Sequence, residues 1–253
     1  MYFKHRLANL FYEKVGDSSQ VMMILPGWGN TRSTFQFILN HFKDNYTIYI
    51  FDYPGFGNSP PIRHTLKMED YAMIIKDFMD EHKINKPIIL SHSFGGRITA
   101  ILSGRYHIPI DKIVLIDVAG IKRKKIIMFF KTTLYKILKK YCTFFHQQSL
   151  LMKVRRYFSS QDYQDVPPFM SQTFQNIVRE DLRKDYQNIQ SDVLILWGEN
   201  DQDTPLKDGY YLHKHIKDSG FILYPRVGHF SYLEKSSFTL QILDAFFIEK
   251  DMD

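Results

Sequence analysis

The chain has 253 residues, 44% of them hydrophobic and 15% aromatic, which suits one large α/β domain with a sizeable core and an insertion. Its single cysteine, Cys142, excludes an internal disulfide framework and any zinc cluster built on cysteines. The net charge of +6 is uneven: residues 121–160 hold eleven Lys and Arg and no acid, leaving 22 basic side chains against 27 acidic ones elsewhere.

In chain order, Met1 to Leu7 reads as an edge strand. Leu10 to Val15 and Val21 to Leu25 read as strands around the turn Gly16-Asp17-Ser18-Ser19. A glycine-punctuated loop, Pro26-Gly27-Trp28-Gly29-Asn30, follows, and Thr31 or Ser33 is placed to cap a helix running to about Phe42. Tyr46 to Phe51 is a strand, Asp52 to Pro61 a turn-rich loop, and Thr65 is placed to cap a helix through Met68, Tyr71, Ile75 and Met79. Pro87 to Leu90 is an apolar run with the character of a buried strand, and Ile98 to Leu102 has helical spacing. Ile113 to Ile116 is a further strand. From Ala119 to about Gln190 the alternation stops, and helical patterning and charge take over. It resumes with the strand Val193 to Trp197, a helix from Leu206 to His215, the strand Phe221 to Tyr224 and a last helix from Phe238 to Ile248. Such alternation predicts a mostly parallel central sheet with helices on both faces. Ligand chemistry in such sheets lies beyond the carboxyl ends of the strands.

Between the strand at 87–90 and its helix stands Ser91-His92-Ser93-Phe94-Gly95-Gly96. A serine flanked two places away by small residues, at a strand-to-helix turn, is the pattern of a nucleophile elbow. A hydroxyl needs a base to take its proton and an acid to orient that base. In this architecture they follow the serine in the order acid, then histidine. After the strand ending at Trp197 comes Gly198-Glu199-Asn200-Asp201-Gln202-Asp203-Thr204-Pro205. After the strand ending at Tyr224 comes Pro225-Arg226-Val227-Gly228-His229. The candidate base is His229. His92 adjoins Ser93 but points elsewhere across a tight turn and reads as packing or pocket lining. Asp201 is the favoured acid, ahead of Asp203, which sits where it would cap the next helix, and of Glu199 and Asp117. An acyl-transfer oxyanion needs two backbone donors. The N–H groups of Phe94 and Trp28 are placed to supply them. No cofactor or metal is required.

Together, Pro26-Gly27-Trp28-Gly29, Asp52-Tyr53-Pro54-Gly55-Phe56-Gly57-Asn58-Ser59, the elbow, Trp197-Gly198-Glu199-Asn200-Asp201 and Gly228-His229-Phe230 resemble the α/β-hydrolase fold family. The resemblance is to its serine carboxylesterase-like branch with a helical cap. It implies a core of residues 1–118 and 191–253 with a cap of 119–190 inserted over the site. It also implies a serine hydrolase that cleaves an ester or thioester of an apolar acyl group through an acyl-enzyme. C–C or amide cleavage by the same residues, or ligand binding on a hydrolase scaffold, are the alternatives. Two departures stand out: Ser91 where glycine is usual, and Pro26 where the family's oxyanion loop usually has histidine. Ser93 argues against the aspartate-nucleophile relatives. The Asp52 loop is structural in the family.

Within the cap, Ile126, Phe129, Phe130, Leu134, Ile137, Leu138, Tyr141, Phe144 and Phe145 recur at helical spacing, with lysines between them. That basic amphipathic pattern suits either an ordinary cap helix or a lid resting on an anionic membrane surface. No nucleic-acid module is present. The first residues lack an apolar leader, and no apolar run approaches the roughly 18 residues of a membrane span. The expected location is cytoplasmic, with peripheral contact at the membrane through the cap.

Overall fold

A strand covered on both faces has no polar side, so its sequence reads as an unbroken apolar run. Val21–Leu25 (β3), Thr47–Asp52 (β4), Ile88–His92 (β5), Lys112–Ile116 (β6) and Asp192–Gly198 (β7) are runs of this kind. The computed structural model, which describes residues 1–122 and 168–247, places them at the centre of one sheet. Tyr2–Phe3 (β1), Leu10–Val15 (β2) and Gly220–Tyr224 (β8) lie outside them. Among the described residues the order is β1-β2-β4-β3-β5-β6-β7-β8. β1, β2 and β4 pair antiparallel, and every other pairing is parallel.

Neighbours in sequence are not always neighbours in the sheet. β2 and β3 flank the Gly16 turn, yet β4 lies between them, antiparallel to β2 and parallel to β3. The turn therefore crosses the end of β4. Gly16 takes φ +82° there, and a Cβ on it would sit 2.2 Å from the Tyr46 carbonyl oxygen.

Alternate side chains of the central strands feed two cores. Met23, Leu25, Ile89, Leu115, Ile195 and Trp197 pack with Met68–Glu81 (α2), Phe94–Ala100 (α3), Arg183–Gln187 (α5) and Leu206–His215 (α6). Met22, Ile24, Leu90, Ile116 and Leu196 pack with Gln36–Phe42 (α1) and Ser236–Phe247 (α8). Among the described residues, the other helices are Ser171–Arg179 (α4) and Ser231–Glu234 (α7). Among the described residues, no helix is long and apolar enough to cross a membrane.

Three local expectations change. The segment before α1 is a short 3-10 turn, Arg32–Phe35, and neither Thr31 nor Ser33 caps a helix through its side chain. Thr65 does not cap α2, which starts at Met68, where the Asp70 carboxylate accepts the Lys67 N–H at 2.7 Å. Buried Leu66 donates its N–H to Thr173 Oγ1 at 3.1 Å, which holds the chain extended past Thr65. The elbow helix widens after Ala100 into a π turn, Ile101–Arg105.

Residues 123–167, including the amphipathic stretch 126–145, lie outside the described residues. Of the remaining part of the segment 119–190, Met170, Phe174, Ile177, Leu182 and Tyr186 join the core on the α2–α3 side. Two arginines of the elbow helix and its π turn fasten this part. Buried Arg97 donates to the Ile177 and Glu180 carbonyls at 3.0 and 3.3 Å, and Arg105 pairs with Glu69, Glu180 and Asp185.

Candidate active site

β5 ends at His92 and α3 begins at Phe94, so Ser93 alone turns the chain. Its φ of 47° and ψ of −108° lie where a side chain is crowded, at a cost of about 1–3 kcal/mol. Neighbouring contacts hold it there. Its N–H donates to the Ile116 carbonyl at 3.1 Å, and its own carbonyl accepts the N–H groups of Gly96 and Ala119. A Cβ on Gly95 would stand 1.9 Å from the Leu25 carbonyl oxygen, and one on Gly96 would stand 2.4 Å from Val118 Cβ. Ser91 replaces glycine without strain because its hydroxyl turns onto the Val114 carbonyl at 3.2 Å.

The loop after β3 presses on this turn. A Cβ on Gly27 would lie 2.8 Å from His92 Nδ1. The Trp28 ring meets Phe94 edge-on at 5.1 Å, with Phe56 at 4.7 Å and Phe174 at 5.3 Å. Among the described residues, the backbone N–H groups of Trp28 and Phe94 donate to no other group. Phe94 occupies the first turn of α3, where an N–H has no partner within the helix.

The loops after β7 and β8 bring Asp201 and His229 together. His229 Nδ1 donates to Asp201 Oδ2 at 2.7 Å, and both side chains are buried. Asp201 Oδ1 also accepts the N–H groups of Asp203 and Thr204 at 2.8 and 2.9 Å, and Thr204 Oγ1 lies 2.6 Å from Oδ2. Burial disfavours the Asp201 charge, but the His229 bond and charge, with the Thr204 bonds, hold its pKa below the usual carboxylate value. Burial likewise disfavours a charged His229, but the Asp201 bond and charge raise its pKa above the ordinary imidazole value. The pressure between the two loops is visible at Gly198, where a Cβ would lie 2.1 Å from the Gly228 carbonyl oxygen.

Asp201, Asp203 and His229 offer donor atoms within 4.8 Å of one another, a spacing a metal ion can use. The 2.7 Å bond already joins His229 Nδ1 to Asp201, which is the geometry of an acid–base pair.

The rival residues have other occupations. His92 is fully buried and its Nε2–H donates to the His229 carbonyl at 2.8 Å. Burial, with His229 nearby, lowers its pKa to about 3, so it stays neutral. Asp203 does not cap α6, whose N-cap is Pro205. Glu199 accepts the Arg226 N–H at 2.8 Å and ties the two loops at the surface. Among the described residues, Ser93 Oγ and His229 Nε2 make no direct hydrogen bond, a contact that often tightens only with substrate in place.

Some supporting residues carry no sequence signal for their role. Asp117 directly follows β6, fully buried at φ 46°. Its Oδ1 accepts the Gly198 N–H at 2.7 Å, and its Oδ2 accepts the Ser231 hydroxyl and N–H at 2.6 and 3.2 Å. Burial pushes its carboxyl up to about 7. Thr204 could have been suspected from its place three residues after Asp201. Ser231 could not.

Comparison with known proteins agrees with this fold. A family model described as alpha/beta hydrolase fold matches residues 20–236. The chain is 24% identical over 246 residues to an uncharacterized hydrolase, YugF, of Bacillus subtilis, covering 88% of each. It is 23% identical to a pimeloyl-[acyl-carrier protein] methyl ester esterase of Legionella pneumophila, covering 94% of this chain and 99% of that one. Among solved structures, MGS-M2, an alpha/beta hydrolase enzyme from a deep-sea metagenome library, superposes with a TM-score of 0.77 at 21% identity, covering 100% of this chain and 99% of the other.

Proposed function

The chain belongs to the alpha/beta hydrolase fold family, and from that premise we propose that it is a serine hydrolase of esters or thioesters with an apolar acyl group. The observation that carries the reading is the buried His229–Asp201 pair, bonded at 2.7 Å beside a strained turn that bears only Ser93. In this reading Ser93 Oγ attacks the acyl carbonyl while His229 Nε2 takes its proton. Asp201 keeps Nδ1 protonated and stabilises the imidazolium. The N–H groups of Trp28 and Phe94 receive the oxyanion. His229 then protonates the leaving alcohol or thiol, and water, deprotonated by His229 in turn, releases the acyl group from Ser93. The aromatic wall of Trp28, Phe56, Phe94 and Phe174 supports an apolar acyl portion. Likeness to a methyl ester esterase fits ester cleavage.

The test is hydrolysis of p-nitrophenyl esters from acetate to octanoate by the wild type and by Ser93→Ala, with mass-spectrometric location of a fluorophosphonate adduct. We expect an adduct on Ser93 and loss of turnover in the variant. Equal rates, or an adduct elsewhere, would overturn the assignment. The same reading extends to the basic segment 121–160, whose eleven cations and absence of acids fit an anionic lipid surface as the place where amphiphilic substrate is met.

A further inference from the structure

Asp117 is a fully buried carboxylate that the chemistry above leaves without a task. Burying one is costly unless it organises its surroundings. It sits under the site with one oxygen on each half of it. Oδ1 takes the N–H of Gly198, the last residue of β7, from which the loop to Asp201 departs. Oδ2 takes the hydroxyl and N–H of Ser231, two residues beyond His229. The Asp117 carbonyl also lies 3.0 Å from Thr204 Oγ1, the hydroxyl that touches Asp201. His92 adds a second hold on the base loop through the His229 carbonyl.

We propose that Asp117 is a positioning residue: by gripping Gly198 on one side and Ser231 on the other, it sets the register between the loop that carries Asp201 and the loop that carries His229. This rests on the hydrolase reading only for its consequence in turnover. The clamp itself concerns the Asp201–His229 pair. The titratable groups facing Asp117 are His229 and Asp201, with Tyr224 of β8 and Tyr232 of α7. Its negative charge is among the influences that raise the His229 pKa.

The experiment compares wild type, Asp117→Asn and Ser231→Ala. An asparagine keeps the shape but offers one acceptor oxygen where three donors converge. Expected for Asp117→Asn is a fall in kcat of about ten- to hundredfold, the usual cost of a small misplacement. KM should change little. The acid limb of the kcat/KM profile should move to lower pH to the extent that Asp117, whose carboxyl stands at about 7, is ionised where His229 titrates. Histidine NMR should show the same lowered His229 pKa and a broadened or displaced Nδ1 proton. Loss of the Asp117 charge lowers that pKa by itself, so the clamp is read in the Nδ1 proton, which a role in folding alone would leave in place. Ser231→Ala keeps the charge and loses one tether. It should lower kcat several-fold, and it remains informative if Asp117→Asn does not fold. An unchanged Nδ1 signal in folded Asp117→Asn and Ser231→Ala would overturn the clamp. A protein whose wild type neither turns over esters nor labels at Ser93, yet whose Nδ1 proton is displaced in Asp117→Asn and Ser231→Ala, would defeat the hydrolase reading and leave the clamp standing.

Discussion

His229 has to be neutral at Nε2 before it can take a proton, and its surroundings oppose that. Burial favours the neutral ring, but the Asp201 bond and charge, with Asp117 and Asp203, outweigh it and favour the imidazolium. A raised pKa keeps the ring charged to higher pH, so activity should rise with pH through an apparent value above the ordinary histidine value of about 6.5. A profile of kcat/KM from pH 5 to 9 checks this, and an acid limb at or below the ordinary value would contradict it. Asp201→Asn should bring the limb down and cut kcat by about 10³- to 10⁴-fold. The pairing of Asp201 with His229 was legible because each sits in a loop just past a strand, the acid before the histidine. Asp117 was legible only as a weaker candidate for the acid. Its partners lie 81 and 114 positions away, and hydrogen bonds over such separations leave no local pattern.

Elements were easier to locate than to arrange. The apolar runs marked β3, β5, β6 and β7 because both sheet faces are covered, but nothing in them says that β4 slips between β2 and β3. Helical spacing carried past Ala100 into Leu102, and the π turn at Ile101–Arg105 was invisible because one extra residue per turn scarcely alters the apolar pattern. That turn has a purpose in packing. It brings Gly104 so near α5 that a Cβ would lie 1.7 Å from the Asp185 carbonyl oxygen, and it places Arg105 against the Asp185 carboxylate. Gly104→Ala should therefore destabilise the fold by about 1–3 kcal/mol, as overpacking does. Urea denaturation read by circular dichroism measures this, and an unchanged midpoint would show that the approach can relax at little cost.

Across the whole molecule, acidic and basic side chains are sorted. Residues 121–160 carry only cations, while the rest holds 27 acids against 22 bases. If the basic segment meets lipid as proposed, the protein should co-sediment with vesicles containing phosphatidylserine and not with neutral ones. Binding should weaken as salt is raised, because surface attraction is screened within about 10 Å at 0.1 M. Equal binding to both vesicle types would remove the lipid surface from the reading. The division of labour between scaffold and site follows the same large-scale logic: the sheet and its two cores supply rigidity, and the candidate residues sit on loops at the carboxyl ends of β3, β5, β7 and β8.

The left-handed turn at Ser93 sets two demands on one position. Glycine adopts that conformation freely, so Ser93→Gly would relieve the fold and remove the hydroxyl together. A directed-evolution campaign that selected for heat resistance alone would be drawn to that exchange, and on the proposed function its hardiest survivors would be enzymes in shape only.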